Sequence, residues 1–141
     1  MSLVTIASQL KTIADTLSSD ILGSSFKYME TKPTDFPALM ITDVDSPAEE
    51  FYDSNNNLYT KVFLLRAVFA EEESEGAYEK WMTFVDALED ALRTKTNSTF
   101  GGTALKVRTV GSSKAWSDTD FIKPVVYYDI QVEIIMLKSI T

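Results

Sequence analysis

The groups in this chain whose spacing most invites a chemical reading are carboxylates and side-chain amides, because its 141 residues include no His and no Cys. Asp53-x-Asn55-x-Asn57 places oxygen donors at alternate positions, as a calcium loop begins. The sixth position, however, is Leu58 where that loop turns on Gly, and the twelfth is Leu64 where it needs a bidentate Glu. The segment therefore reads as a turn. Asp43 with Asp45, or Asp118 with Asp120, could serve as acid and base or hold a metal, but such work requires a fixed separation and a perturbed pKa. No His is present to support a nucleophile or a metal. Gly101-Gly102 has neither dinucleotide-binding spacing nor a phosphate-loop Lys, and Asn97-Ser98-Thr99 fits a glycosylation acceptor without an export signal. The expectation is a non-enzymatic protein with no cofactor and no metal site.

Charge narrows the partners. The 13 Lys and Arg against 21 Asp and Glu leave a net −8, which opposes tight wrapping of a phosphate backbone, since that affinity comes from basic groups releasing counterions. The same charge permits a surface past which DNA slides, or a basic protein partner. No run approaches the ~20 apolar residues of a membrane span, and Met1-Ser2-Leu3-Val4 lacks a basic leader region. A soluble chain is expected. At this length one domain, 1–141, buries roughly two thirds of its unfolded surface without disulfide staples. No internal repeat, low-complexity tract or linker interrupts it.

The elements that must position these residues follow from apolar period. Leu3, Ile6, Ala7, Leu10, Ile13, Ala14 and Leu17 form one helical face, and Gly23 offers its stop. Ser24 to Pro33 has little pattern. Phe36 to Thr42 reads as a short strand, with Pro37 near its start where a missing N–H is tolerated. Asp43 to Asn57 reads as a polar loop or hairpin arm. Leu58 to Ala70 is a long strand apolar on both faces, with Val62, Leu64, Arg66 and Val68 opposed to Phe63, Leu65, Ala67 and Phe69. Helices cover one face of a sheet easily. Burying side chains such as Phe63 or Leu64 contributes roughly 1.5–3 kcal/mol each, so a second cover, from a loop or another subunit, is expected.

A second helix over Glu75 to Arg93 carries Tyr78, Trp81, Met82, Val85, Leu88 and Leu92 as its core stripe, with Glu71 to Glu75 as a solvated, dipole-matched start. Ala104 to Val110 reads as a strand, Gly111 to Pro124 as a second long loop. The closing strand has Val126, Tyr128, Ile130, Val132, Ile134 and Met136 inward, and Tyr127, Asp129, Gln131 and Glu133 outward. The fold class is α+β, a single domain of mainly antiparallel sheet with two helices packed on one face, in the order α-β-β-α-β-β. Phe51 and Tyr52 in the first long loop, with Trp116 and Phe121 in the second, either contact a partner or tuck back as a lid.

The N-terminal helix, the Phe36-Pro37-Ala38 opening of a strand, the apolar strand ending near Phe69, the helix with Tyr78-x-x-Trp81 and the closing Tyr127-Tyr128-Asp129-Ile130-Gln131-Val132 strand together resemble the tail terminator, or tail completion, proteins of long-tailed bacteriophages and prophages. The likeness spans nearly the whole chain and is one of element order, size and texture. It implies a structural virion protein, assembled in the host cytoplasm, whose subunits close a ring, commonly a hexamer, on the head-proximal end of the tail tube. Such a ring ends tube polymerisation, meets the major tail tube protein and the head connector, and passes DNA through its lumen without specific binding. The family has no fixed functional motif, so Phe51, Tyr52, Trp116 and Phe121 stand as candidate subunit contacts from the residues alone. Two other classes fit the composition: a small acidic inhibitor or immunity protein binding a basic partner, and a carboxylate enzyme with converging acidic side chains. Another head-tail adaptor protein shares the same size and texture.

Overall fold

A computed structural model describes residues 3–24, 26–28, 37–43, 48–70, 74–94, 106–118 and 125–139. In chain order they form α1 (Leu3–Ile21), β1 (Phe26–Tyr28), β2 (Ala38–Asp43), β3 (Ala48–Phe51), β4 (Asn56–Ala70), α2 (Ser74–Leu92), β5 (Lys106–Asp118) and β6 (Val125–Ser139). The class is α+β, as expected, with an element order of α-β-β-β-β-α-β-β.

The helix periods decide what is buried. In α1, Ile6, Leu10 and Ala14 are fully buried, and Ser18 continues their line. The Ser18 carbonyl accepts from the N–H groups of Leu22 at 2.8 Å and Gly23 at 3.1 Å. Gly23 has φ of 71°, a left-handed conformation that closes helices and costs a side-chain-bearing residue energy. In α2 the buried line is Ala77, Trp81, Phe84, Val85, Leu88 and Leu92. The expected stripe needs correction: Tyr78 is 57% and Met82 36% exposed, whereas Phe84 and Ala77 are inside. A helix lying beside another helix on one sheet buries a limited arc. Trp81 sets that arc, its ring 5.3 Å from Phe84 and 6.1 Å from Tyr128.

The sheet runs β1-β2-β4-β6-β5, and β3 pairs with the first part of β4 beyond the end of β2. Among the described residues only β1 with β2 is parallel; the other pairs are antiparallel. At the centre, β4 and β6 pair along their whole length, Asn56 with Ser139 through Ala70 with Val125. Tyr59, Phe63, Leu65, Ala67 and Phe69 of β4 face the helices together with Tyr128, Ile130, Val132, Ile134 and Met136 of β6. Lys61 stands in this row and is also buried. Both helices contribute to the same core cluster, so they share one face of the sheet.

Three segments differ from the reading by period. The weakly patterned stretch after α1 holds β1, whose Phe26 is buried, lies 5.5 Å from the Phe84 ring and donates its N–H to Asp15 Oδ1 at 2.7 Å. A three-residue strand is too short to express a period of two. Ala48–Phe51 is a strand, the hairpin arm of the first long connection. The second expected loop is strand through Asp118, because β6 is long enough to offer backbone partners that far. A bulge between Val110 and Lys114 absorbs Gly111, Ser112 and Ser113.

Candidate assembly surface

On the sheet face away from the helices, β4 presents Leu58, Thr60, Val62, Leu64, Arg66 and Val68. The register sets them beside Leu137, Ile135, Glu133, Gln131, Asp129 and Tyr127 of β6. Val68 is buried, with Met40 of β2, in a small cluster that Ala38 and Tyr127 flank. Leu58, Val62, Leu64 and Ile135 are half-buried, and Leu137 is exposed. This cluster is made of sheet residues alone, so among the described residues no helix supplies the second cover that the two-faced apolar pattern of β4 called for.

One polar device crosses the middle of this face. Arg66 and Asp129 are direct cross-strand partners. Arg66 Nε donates to Asp129 Oδ1 at 2.7 Å and Nη2 donates to Oδ2 at 3.0 Å, a bidentate pair. The Arg66 guanidinium also lies 4.6 Å from the centre of the Tyr127 ring. The hydrogen bond to the Asp129 carboxylate raises the Arg66 pKa above its ordinary value, against the opposing effect of burial. The pair is thus closed on itself, and its charge is met before any partner arrives. Its signal in the sequence was one charge in the middle of each of two strands destined to pair, legible only once the register is known.

At the end of the sheet, β3 and β4 form a hairpin with Phe51 opposite Asn57. Asp53 builds its turn: Oδ1 accepts from the N–H of Asn55 at 2.8 Å and of Asn56 at 2.7 Å, while its own N–H donates to the Asn56 carbonyl at 3.0 Å. The calcium-like spacing is therefore used as a turn. Asn57 Nδ2 also donates to Glu49 Oε2 at 3.0 Å across the arms. This rigid tip holds two of the four candidate contact residues in solvent, with Phe51 77% and Tyr52 54% exposed. Neither folds back as a lid.

Trp116 stands elsewhere from where its sequence context put it. It lies in β5, not in a loop, and its backbone pairs with Tyr127. That pairing sets its backbone in the edge strand, on the opposite flank of the sheet from the hairpin. Phe121 lies outside the described residues, as do Asp45 and Asp120 of the two carboxylate pairs. Two further exposed apolar residues, Tyr78 and Met82, sit one turn apart on α2, where the period reading had placed them in the core. Tyr78 lies 6.2 Å from the Tyr128 ring. Burial raises the Tyr128 hydroxyl pKa above its usual value, and Tyr78 adds to the effect.

Among the described residues, no three His, Cys, Asp or Glu side chains gather as a metal site, and no helix is long and apolar enough to cross a membrane. The geometry offers surfaces for contact. No protein-family model and no curated protein matches the chain.

Proposed function

We propose that this protein is a ring-forming structural subunit of the tail-terminator kind, which caps the head-proximal end of a phage tail tube, ends its polymerisation and joins it to the head connector. The observation that carries the reading is the outer sheet face: apolar residues on both sides of an internally neutralised ion pair, without a helix over it among the described residues, while an aromatic hairpin projects from the same sheet. Leaving Leu58, Val62 and Leu64 partly wet forgoes part of the ~1.5–3 kcal/mol that each contributes when fully buried. An assembly partner that covers this face, the tube or the connector included, recovers it.

A cyclic assembly needs two different complementary patches on each copy, and this chain carries distinct ones at the two flanks of its sheet. Its net −8 suits a lumen through which DNA moves without adhering, since like charge suppresses phosphate binding. The role requires no catalytic group, no cofactor and no metal. Its partners are further copies of itself, the tail tube protein and the connector, in the neck region of the virion. Growth of tube subunits in the presence of this protein tests the terminator role: tube length should stop increasing once the ring is added. Continued elongation at saturating protein would count against it.

A further inference from the structure

The two lateral edges of the sheet differ in a way that specifies how copies join. One edge carries β1 beside β2 and, past the end of β2, the strand β3, Ala48-Glu49-Glu50-Phe51, with Glu49, Glu50 and Phe51 exposed. The other ends in β5, which among the described residues pairs only with β6 and begins Lys106-Val107-Arg108, with Lys106 exposed. An edge strand presents unpaired N–H and C=O groups and serves as a template for another strand. Resting on the ring reading, we propose that β3 of one copy adds antiparallel to the Lys106–Val110 part of β5 in the next, so that the sheets become continuous around the ring.

Four observations point this way. First, strand polarity fits. β3 is antiparallel to β4, β4 to β6 and β6 to β5, so β3 and β5 run in opposite directions within one chain. Rotation about an axis near the strand direction preserves those directions and brings β3 and β5 of neighbours together antiparallel.

Second, length fits. The bulge after Val110 divides β5 and leaves a five-residue segment before it, close to the four residues of β3.

Third, faces fit. Glu50 pairs Leu58 and Lys106 pairs Ile135, which puts both on the outer row, where antiparallel neighbours stand opposite one another.

Fourth, charge selects the pairing. Joining β3 to β3 would set Glu against Glu, and joining β5 to β5 would set Lys against Lys; only β3 to β5 neutralises both edges. Like edges therefore avoid a closed two-fold dimer, and unlike edges propagate into a ring. Phe51, on the row that faces the helices, would meet the Val107 row of the neighbour and lose its exposure.

A cysteine pair tests the contact directly, because the chain has no Cys of its own. Within one subunit β3 and β5 are separated by β4 and β6, about 14 Å at the usual strand spacing, beyond the ~7 Å Cα limit for a disulfide. Any bridge in Glu50→Cys/Lys106→Cys must therefore join two copies. Mild oxidation should give a covalent ladder up to the closed ring on a non-reducing gel. Glu50→Lys and Lys106→Glu should each raise the protein concentration needed for assembly about tenfold or more, with Glu50→Lys/Lys106→Glu restoring it, and circular dichroism should show each variant folded. Rings in the wild type with no ladder, and with both single reversals assembling normally, would overturn the edge contact and leave the ring reading standing. Wild-type protein that stays monomeric across salt and concentration would overturn both.

Discussion

Arg66 and Asp129 show how one residue pair keeps an open surface stable. Their bidentate contact is partly shielded from solvent, so removing one member strands the other among apolar neighbours. Arg66→Ala should lower unfolding free energy by roughly 1.5–3 kcal/mol in urea titrations, the range for hydrogen bonds to charged groups. A change below the precision of that titration would mean that water already replaces the pair. Tyr128 carries a different residue-scale signature. Its folded pKa is raised above the unfolded value near 10 because burial among Phe69, Trp81 and Tyr78 disfavours the phenolate. A raised pKa contributes stability that is fully present below the unfolded value and is lost as pH rises through the folded one. The wild-type unfolding midpoint should fall above about pH 10, and Tyr128→Phe should flatten that decline. An equally steep decline in the variant would assign it to other groups.

At the scale of elements, long apolar segments are legible, the two-faced β4 included, and short ones are not. The closing strand could be read because six alternate apolar residues, Val126 to Met136, share one face, and they line the core as the period implied. Phe26 and β1 could not be read, since three residues carry no period and their place depends on β2 and on Asp15 of α1. The Tyr78 and Met82 error has a similar origin: both fit a helical stripe, and only contact with Phe26 and Tyr128 rotates α2 so that Phe84 takes the inner place. Trp116 falls in the polar stretch from Gly111 to Pro124 that reads as a loop, whereas in the sheet Gly111, Ser112 and Ser113 form a bulge and the strand continues to Asp118.

The hairpin separates folding from assembly cleanly. Asp53→Ala removes the carboxylate that accepts two backbone N–H groups in the turn and should destabilise the subunit by roughly 1 kcal/mol. Phe51→Ser touches an exposed position and should change subunit stability by no more than about 0.5 kcal/mol while weakening oligomers in sedimentation experiments. Unfolding of the Phe51→Ser subunit would instead give that side chain a core role.

For the whole molecule, two electrostatic effects act in opposite directions. Each copy carries −8, so copies repel over distances that salt screens, with a Debye length of about 10 Å at 0.1 M. Contacts between Glu50 and Lys106 of neighbouring edges would act at short range, where screening is weaker. Assembly should therefore strengthen as salt rises from about 0.01 to about 0.15 M. The central claim is that this chain is a ring subunit, and its mass in solution tests that most directly. Light scattering coupled to size exclusion at such salt should find a discrete species near six times the 15.8 kDa subunit. A single 15.8 kDa species at every salt and protein concentration would contradict it.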